Sequence, residues 1–250
     1  MVSRIFSSTV YVIIHNCNLM LSKSYWESKF RHPDWYIKLA QEIKFLFVSS
    51  LNKEERRRVV NLTAKLLKEG KIALGKRGPN FDENRIKVDT VIIHHTGSRI
   101  KSLEYLSALG LLRLYALDYL GNKGLGHQIY GAPIWSGHFL NGKQVFFPYH
   151  WVMFEDGRTK RLLDDKYIGW HAGNWKINKR SVGIALSGDF ELHSPTVGYI
   201  KRLIKLISKN YPNIKKNRIL LHCDIVKTAC PGTGFISQWE KVSEEKGRKS

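Results

Sequence analysis

The sequence predicts an α/β protein: a mixed central sheet flanked by helices, preceded by a helical N-terminal appendage. Three observations predict it. Val88 to His94 and Ser181 to Leu186 are short, continuously apolar runs, the pattern of strands covered on both faces. From Ser194, the residues Ile200, Leu203, Ile204 and Ile207 recur at helical spacing, with lysines opposite. The first eighty or so residues look different from the rest, a poorly patterned start followed by helical pattern. The chain therefore divides into an appendage with its linker over 1–84 and an α/β domain over 85–250.

The elements follow in order. Pro33 and Asp34 precede the apolar-rich segment Trp35 to Val48, expected to be a helix. Asn52, with Glu55 three residues later, resembles a capping box and opens a second helix through Glu69, stopped by Gly70. Its stripe is Val59, Leu62 and Leu66, and Arg56 to Arg58 sit on the first turn, where the helix dipole disfavours cations. Gly75 to Asn84 reads as a linker. Leu103 to Leu120 has helical pattern, whereas Asn122 to Phe147, rich in glycine and aromatics, reads as an irregular insertion. Tyr149 to Phe154 and Arg158 to Leu163, joined at Asp156-Gly157, predict a hairpin. Ser194-Pro195 marks a helix start. Arg218 to His222 is a short strand, and a last helix follows Cys230-Pro231.

Charge narrows the partners. The chain has 41 Lys+Arg against 21 Asp+Glu, a formal net charge of +20, so its surface attracts polyanions. The cations are scattered and no nucleic-acid motif is present, which argues against a specific nucleic-acid partner. Three cysteines, Cys17, Cys223 and Cys230, are too few and odd in number for a disulfide framework. No stretch is apolar enough to span a bilayer, so no transmembrane segment is expected. Arg4 precedes a short apolar run, Thr9 to Ile14, but His15 to Asn18 interrupts it and no small-residue cleavage site follows. Localisation stays open between the cytoplasm, release by lysis and export by another route.

Metal-type ligands lie at strand ends. His94 ends the first apolar strand, and His222 and Cys230 stand eight positions apart in LHCDIVKTACPG. Two imidazoles and a thiolate meet the needs of a catalytic zinc site, which keeps a fourth position for water. With ten histidines in the chain, that set alone does not single out a site.

The wider pattern does. VIIHHTG (91–97), YHWVMFEDGRT (149–159), GWHAGNW (169–175), SVGIALSGDF (181–190) and LHCDIVKTACPG (221–232) stand in one order over Lys87 to Trp239. Together they resemble the type 2 N-acetylmuramoyl-L-alanine amidases, which include phage lysozyme-type amidases and catalytic peptidoglycan recognition proteins. The span from His94 to Tyr149 is longer than that family's, and the appendage lies outside the resemblance. The resemblance implies a zinc hydrolase (Zn2+ as cofactor) that cuts the amide between N-acetylmuramic acid and L-alanine in peptidoglycan or muropeptides. It makes His94, His222 and Cys230 the metal ligands. Tyr149 matches the tyrosine that faces the attacking water and the scissile carbonyl. Thr228 matches a position held by lysine in the phage enzymes and by threonine in several recognition-protein amidases. Being uncharged, it can help an oxyanion only by hydrogen bonding. His171 is a candidate for protonating the leaving nitrogen or lining the groove, and Trp170 and Trp175 for flanking a glycan or peptide.

Other residues read as structural. His95 alternates to the opposite strand face from His94, and His150 faces away from Tyr149. His127 and His138, in the insertion, are expected at the surface. Asp224 is expected to orient the loop to Cys230. If His222 points at the metal, Cys223 points away into packing, which leaves Cys230 as the ligand. The competing reading is a non-catalytic peptidoglycan-binding or sensing module. Such a module can lose ligands, and this chain keeps all three. A monomer is expected, with electrostatic attraction to anionic cell-wall polymers.

That attraction should weaken as salt screens exposed charges. Sedimentation with insoluble peptidoglycan should show bound protein falling from low to high salt; equal binding throughout would remove electrostatics as the cause.

Overall fold

The computed structural model describes residues 22–48, 53–100, 102–121 and 129–247. Cys17, Asn52, His127 and the run Thr9 to Ile14 lie outside them. Among the described residues no helix is long and apolar enough to cross a membrane. The chain forms two compact units, one of Met1–Pro79 with Glu104–Phe146, the other of Asn80–Leu103 with Phe147–Ser250.

The first unit is helical. The helix expected over Trp35 to Val48 is broken at Leu39, whose φ of −110° and ψ of 13° separate Trp35–Lys38 from Ala40–Val48. Trp26, Phe30, Trp35 and Tyr36 are fully buried and meet ring to ring, Phe30 and Trp35 at 4.8 Å between centroids. Tyr119, from the second segment, closes on Tyr36 edge-on at 5.6 Å. The helix Lys53–Lys68 ends where Gly70, at φ 68°, adopts the left-handed conformation and Lys71 N–H reaches back to the Leu66 carbonyl. Glu54 pairs with Arg57 and Arg58 on its first turn, which offsets their poor placement in the helix dipole.

The helix expected over Leu103 to Leu120, from Glu104 on, and the described residues of the expected insertion up to Phe146 belong to this unit. Leu103–Gly110 continues as a π-helical stretch, Leu111–Ala116, and then Leu117–Leu120, burying Leu111, Leu112, Tyr115 and Tyr119. A two-stranded hairpin follows, Phe139–Leu140 against Lys143–Gln144. His138, expected at the surface, is buried at 2 % exposure. The expected linker is likewise built in. Gly75 N–H bonds the Ile134 carbonyl in the first unit. In the second, Phe81–Asn84 forms a 3-10 turn whose Asp82 accepts the Ile168 N–H at 2.6 Å.

The second unit holds a five-stranded mixed sheet. Its elements are β1 (Thr90–His95), β2 (Trp151–Met153), β3 (Thr159–Arg161), α1 (Trp175–Asn178), β4 (Ser181–Leu186), α2 (Val197–Asn210), β5 (Ile219–Leu221) and α3 (Thr233–Gly247). The strand order is β3-β2-β4-β1-β5. β1 runs parallel to both β4 and β5, β4 parallel to β2, and only the β2–β3 hairpin is antiparallel. The hairpin turns at Gly157, φ 83°, with the Asp156 carboxylate accepting Arg158 N–H. α2 starts just after the expected Ser194-Pro195, because the Thr196 hydroxyl accepts the Tyr199 N–H as its cap.

The two sheet faces differ. Val91, Ile93, Val182, Ile184, Leu186 and Leu221 pack under α2 and α3 through Ile200, Leu203, Ile207 and Phe235, forming one buried apolar cluster. The alternating residues of β1 and β4 (Ile92, His94, Ser181, Gly183, Ala185) face the other way. At the opposite end of the strands Asp89 pairs with Arg180 and Arg218.

Ile184 lies at the centre of the apolar face with no exposure. Ile184→Ala should cost about 2–5 kcal/mol, seen as a lower urea midpoint, and an unchanged midpoint would mean that this face is not the core.

Candidate metal centre

β1 ends at His94 and His95, whose side chains leave on opposite faces. His95 goes to the apolar side, where its Nδ1 accepts the Phe190 N–H at 3.3 Å and its Nε2 lies 3.9 Å from Glu191. His94 goes to the other side and is buried at 1 % exposure. β5 is parallel to β1 with Ile93 opposite Leu221, so the residue after Leu221, His222, arrives level with His94. There the chain leaves the strand in a 3-10 turn, His222–Asp224, with the Asp224 carboxylate accepting Leu221 N–H at 2.7 Å. The His94 and His222 rings lie 4.4 Å apart.

The loop after His222 folds back and brings Cys230 to the same place. Cys223 N–H bonds the Cys230 carbonyl at 3.0 Å, closing the loop at its base. Cys230 Sγ lies 3.8 Å from His94 Nδ1 and accepts the His95 N–H at 3.3 Å. One donor atom each from His94, His222 and Cys230 falls within 4.8 Å of the others. Cys223 instead packs against the apolar cluster under α2 and α3. Burial, and then the Asp224 charge, push its thiol pKa up, which disfavours a thiolate there.

Tyr149 stands beside this set, its ring 5.0 Å from that of His94. Thr228 lies on the Cys230 loop, its hydroxyl accepting the Cys230 N–H at 3.2 Å. Trp170 and Trp175 form a half-buried cluster with Phe81, at 5.1 and 6.3 Å.

His171 differs from expectation. It is 5 % exposed, with Nδ1 3.0 Å from His94 Nε2 and Nε2 3.3 Å from the Ser181 hydroxyl. Both ring nitrogens are engaged inside the protein. Burial, followed by His222 and Arg85, pulls its pKa down to about 3, so the imidazole is neutral near pH 7. His150 is structural, as expected. It is fully buried, its Nδ1 accepts the Gly183 N–H at 3.1 Å, and burial pulls its pKa well below the usual histidine range.

Sequence reasoning missed the residues that hold His171. A Cβ on Gly183 would lie 2.7 Å from the His171 ring, and one on Gly169 would lie 2.4 Å from the Pro148 carbonyl. Arg85, in the expected linker, donates to the carbonyls of Asp165, Asn178 and Ser181. The available signal was in β4, where small Ser181, Gly183 and Ala185 alternate with large Val182, Ile184 and Leu186.

Among known proteins, the family described as N-acetylmuramoyl-L-alanine amidase matches residues 84–233. The 1,6-anhydro-N-acetylmuramyl-L-alanine amidase AmpD of Haemophilus influenzae is 31 % identical over 112 residues, 42 % of this chain and 61 % of that relative's length. The N-acetylmuramoyl-L-alanine amidase LysC of Clostridium intestinale URNW is 20 % identical with a TM-score of 0.42, covering 68 % of this chain and 91 % of that one. The Ph2119 endolysin of Thermus scotoductus MAT2119 bacteriophage Ph2119 is 22 % identical with a TM-score of 0.41, covering 69 % and 88 %.

The placement of the two cysteines is open to direct test. Cys223→Ser should still take up one Zn2+ per chain in a chelator-competition titration, at some cost in thermal stability, whereas Cys230→Ser should not. The reverse pattern would overturn the site as drawn.

Proposed function

We propose, from the premise that the chain belongs to the N-acetylmuramoyl-L-alanine amidase family, that it hydrolyses the amide between N-acetylmuramic acid and L-alanine in peptidoglycan or its fragments. Catalysis belongs to the second unit, with a zinc ion held by His94, His222 and Cys230. The observation that carries this reading is the meeting of those three donors within 4.8 Å beside Tyr149, inside the stretch that matches the family.

The donor set suits zinc, since two imidazoles and one thiolate leave a tetrahedral position open. The 3.8 Å between His94 Nδ1 and Cys230 Sγ is near the roughly 3.5 Å that tetrahedral bonds of about 2.0 and 2.3 Å impose. Bound there, zinc supplies Lewis acidity and lowers the pKa of water toward neutrality.

The chain's own residues do the rest. Tyr149 presents its phenol beside the His94 ring, where its O–H donates to the lactyl carbonyl oxygen as that oxygen gains charge. The Thr228 oxygen already accepts the Cys230 N–H, so its own proton serves as a second, neutral donor. The His95 N–H on Cys230 Sγ favours the thiolate form needed for a ligand. The half-buried Phe81, Trp170 and Trp175 rings offer apolar faces to sugar or peptide. The excess of cations draws the protein to anionic wall polymers.

Purified protein incubated with peptidoglycan should release new L-alanine amino termini, and chelation should abolish the reaction. Tyr149→Phe should keep one zinc per chain yet lose about 10²–10³ in kcat, the usual cost of one oxyanion donor. Full turnover in that variant would make the tyrosine structural. Cleavage that survives complete removal of metal would exclude the zinc reading.

A further inference from the structure

We infer that His171 is a positioning residue: by accepting a hydrogen bond from His94 Nε2, it sets the His94 tautomer and turns the bare Nδ1 toward the metal. The inference rests on the zinc reading of the site and deepens it.

An imidazole that binds a metal through one nitrogen carries its proton on the other, and the partner of that second nitrogen selects the tautomer. In His94 the atom facing Cys230 Sγ is Nδ1, at 3.8 Å. Its Nε2 points the other way, to His171 Nδ1 at 3.0 Å. With Nδ1 bare for the metal, Nε2 carries the proton and donates, so His171 Nδ1 must accept. A neutral imidazole has one donor and one acceptor. His171 therefore keeps its proton on Nε2 and gives it to the Ser181 hydroxyl, 3.3 Å away. The chain of donation runs from His94 to His171 to Ser181, one direction only.

The surroundings fix this relay in place. Ser181 and Gly183 lie on the same face of β4 as His94 does on β1, with Ala185 opposite His94. Gly183 leaves the space the His171 ring occupies, since a Cβ there would come within 2.7 Å of it. The Arg85 guanidinium holds the Ser181 carbonyl at 2.9 Å, so the acceptor at the end of the relay is anchored by its own backbone. The Ala172 N–H, next to His171, bonds the Asn178 side chain at 2.9 Å and fixes the loop that carries the ring.

The partner of a ligating histidine is commonly a carboxylate, a carbonyl or water. A neutral imidazole does the same orienting work without adding negative charge. The site is left with one anionic ligand, the Cys230 thiolate.

The test compares His171→Asn with His171→Leu. The two side chains have nearly the same shape, but only the amide oxygen of asparagine can replace Nδ1 as an acceptor. Fold is checked first by thermal melting, where both should fall alike. In metal-free protein, imidazole ¹⁵N shifts should show His94 protonated on Nε2 in the wild type and in His171→Asn. In His171→Leu the two tautomers should mix. Zinc affinity by chelator competition should drop about 10–100-fold in His171→Leu, the usual effect of losing such a partner, and stay within about threefold in His171→Asn. The proposal is overturned if metal-free wild type carries the His94 proton on Nδ1, or if His171→Leu binds zinc as tightly as His171→Asn. The tautomer measurement needs neither metal nor substrate, so it separates failure of this inference from failure of the zinc reading, which absence of zinc binding by the wild type would show.

Discussion

The site depends on β1 lying between two parallel neighbours. Parallel pairing puts the C-terminal ends of β1, β4 and β5 at one edge of the sheet, and it fixes their levels residue by residue. With Ile93 opposite Leu221, the residue after each is a histidine, so His94 at the end of β1 and His222 at the first position beyond β5 arrive level with each other. A slip of β1 by one residue against its neighbours would send His94 to the opposite face. That slip is opposed by every large residue of the apolar face, from Val91 to Leu221, which would lose its burial under α2 and α3. The placement of His94 and His222 is therefore held by packing on the opposite face of the sheet.

The alternation within β4 does a second job. Its large residues, Val182, Ile184 and Leu186, complete the apolar face. Its small ones admit buried imidazoles on the other: the Gly183 N–H is the partner of His150, and the space over Gly183 belongs to His171. One strand thus builds a dry core and a polar histidine layer at once, and each buried ring has hydrogen-bond partners, as burial demands.

Much of this was legible in the sequence. Continuous apolar runs marked β1 and β4 to within a residue or two, and the ordered segments from Val91 to Gly232 named the residues that the structure brings together. Strand alternation, with a loop returning after His222, also pointed to Cys230 rather than Cys223, although the structure reaches that outcome by a 3-10 turn that begins at His222 itself. What stayed hidden depends on tertiary contacts. The glycine-rich segment Gly75 to Asn84 looks like a linker because its partners, Ile134, Ile168 and the carbonyls bonded by the neighbouring Arg85, are remote in sequence. The segment Asn122 to Phe147 looks like an insertion because a partner it meets, Tyr36, whose hydroxyl accepts the Gly131 N–H, lies many residues earlier. His171 looked like a groove residue because a histidine among glycines and tryptophans gives no local sign of burial. Its state is set by Gly183, on another element.

The electrostatics of the site follow from the same packing. Burial makes His171 a poor home for a proton, and Arg85 nearby works in the same direction, so the ring beside His94 stays uncharged. Cys230 Sγ accepts a backbone N–H, that of His95. In the proposed reading Tyr149 and Thr228 add donors but no charge. A dication held there by one anionic ligand would keep a net positive charge among partly buried side chains, where charge interactions are weakly screened. A carboxylate in place of His171 would orient His94 equally well, but it would cancel that charge at about the range of a direct hydrogen bond. In the proposed reading the neutral imidazole would therefore separate two tasks that a carboxylate would couple: it would hold His94 in place and leave the field at the scissile carbonyl to the metal.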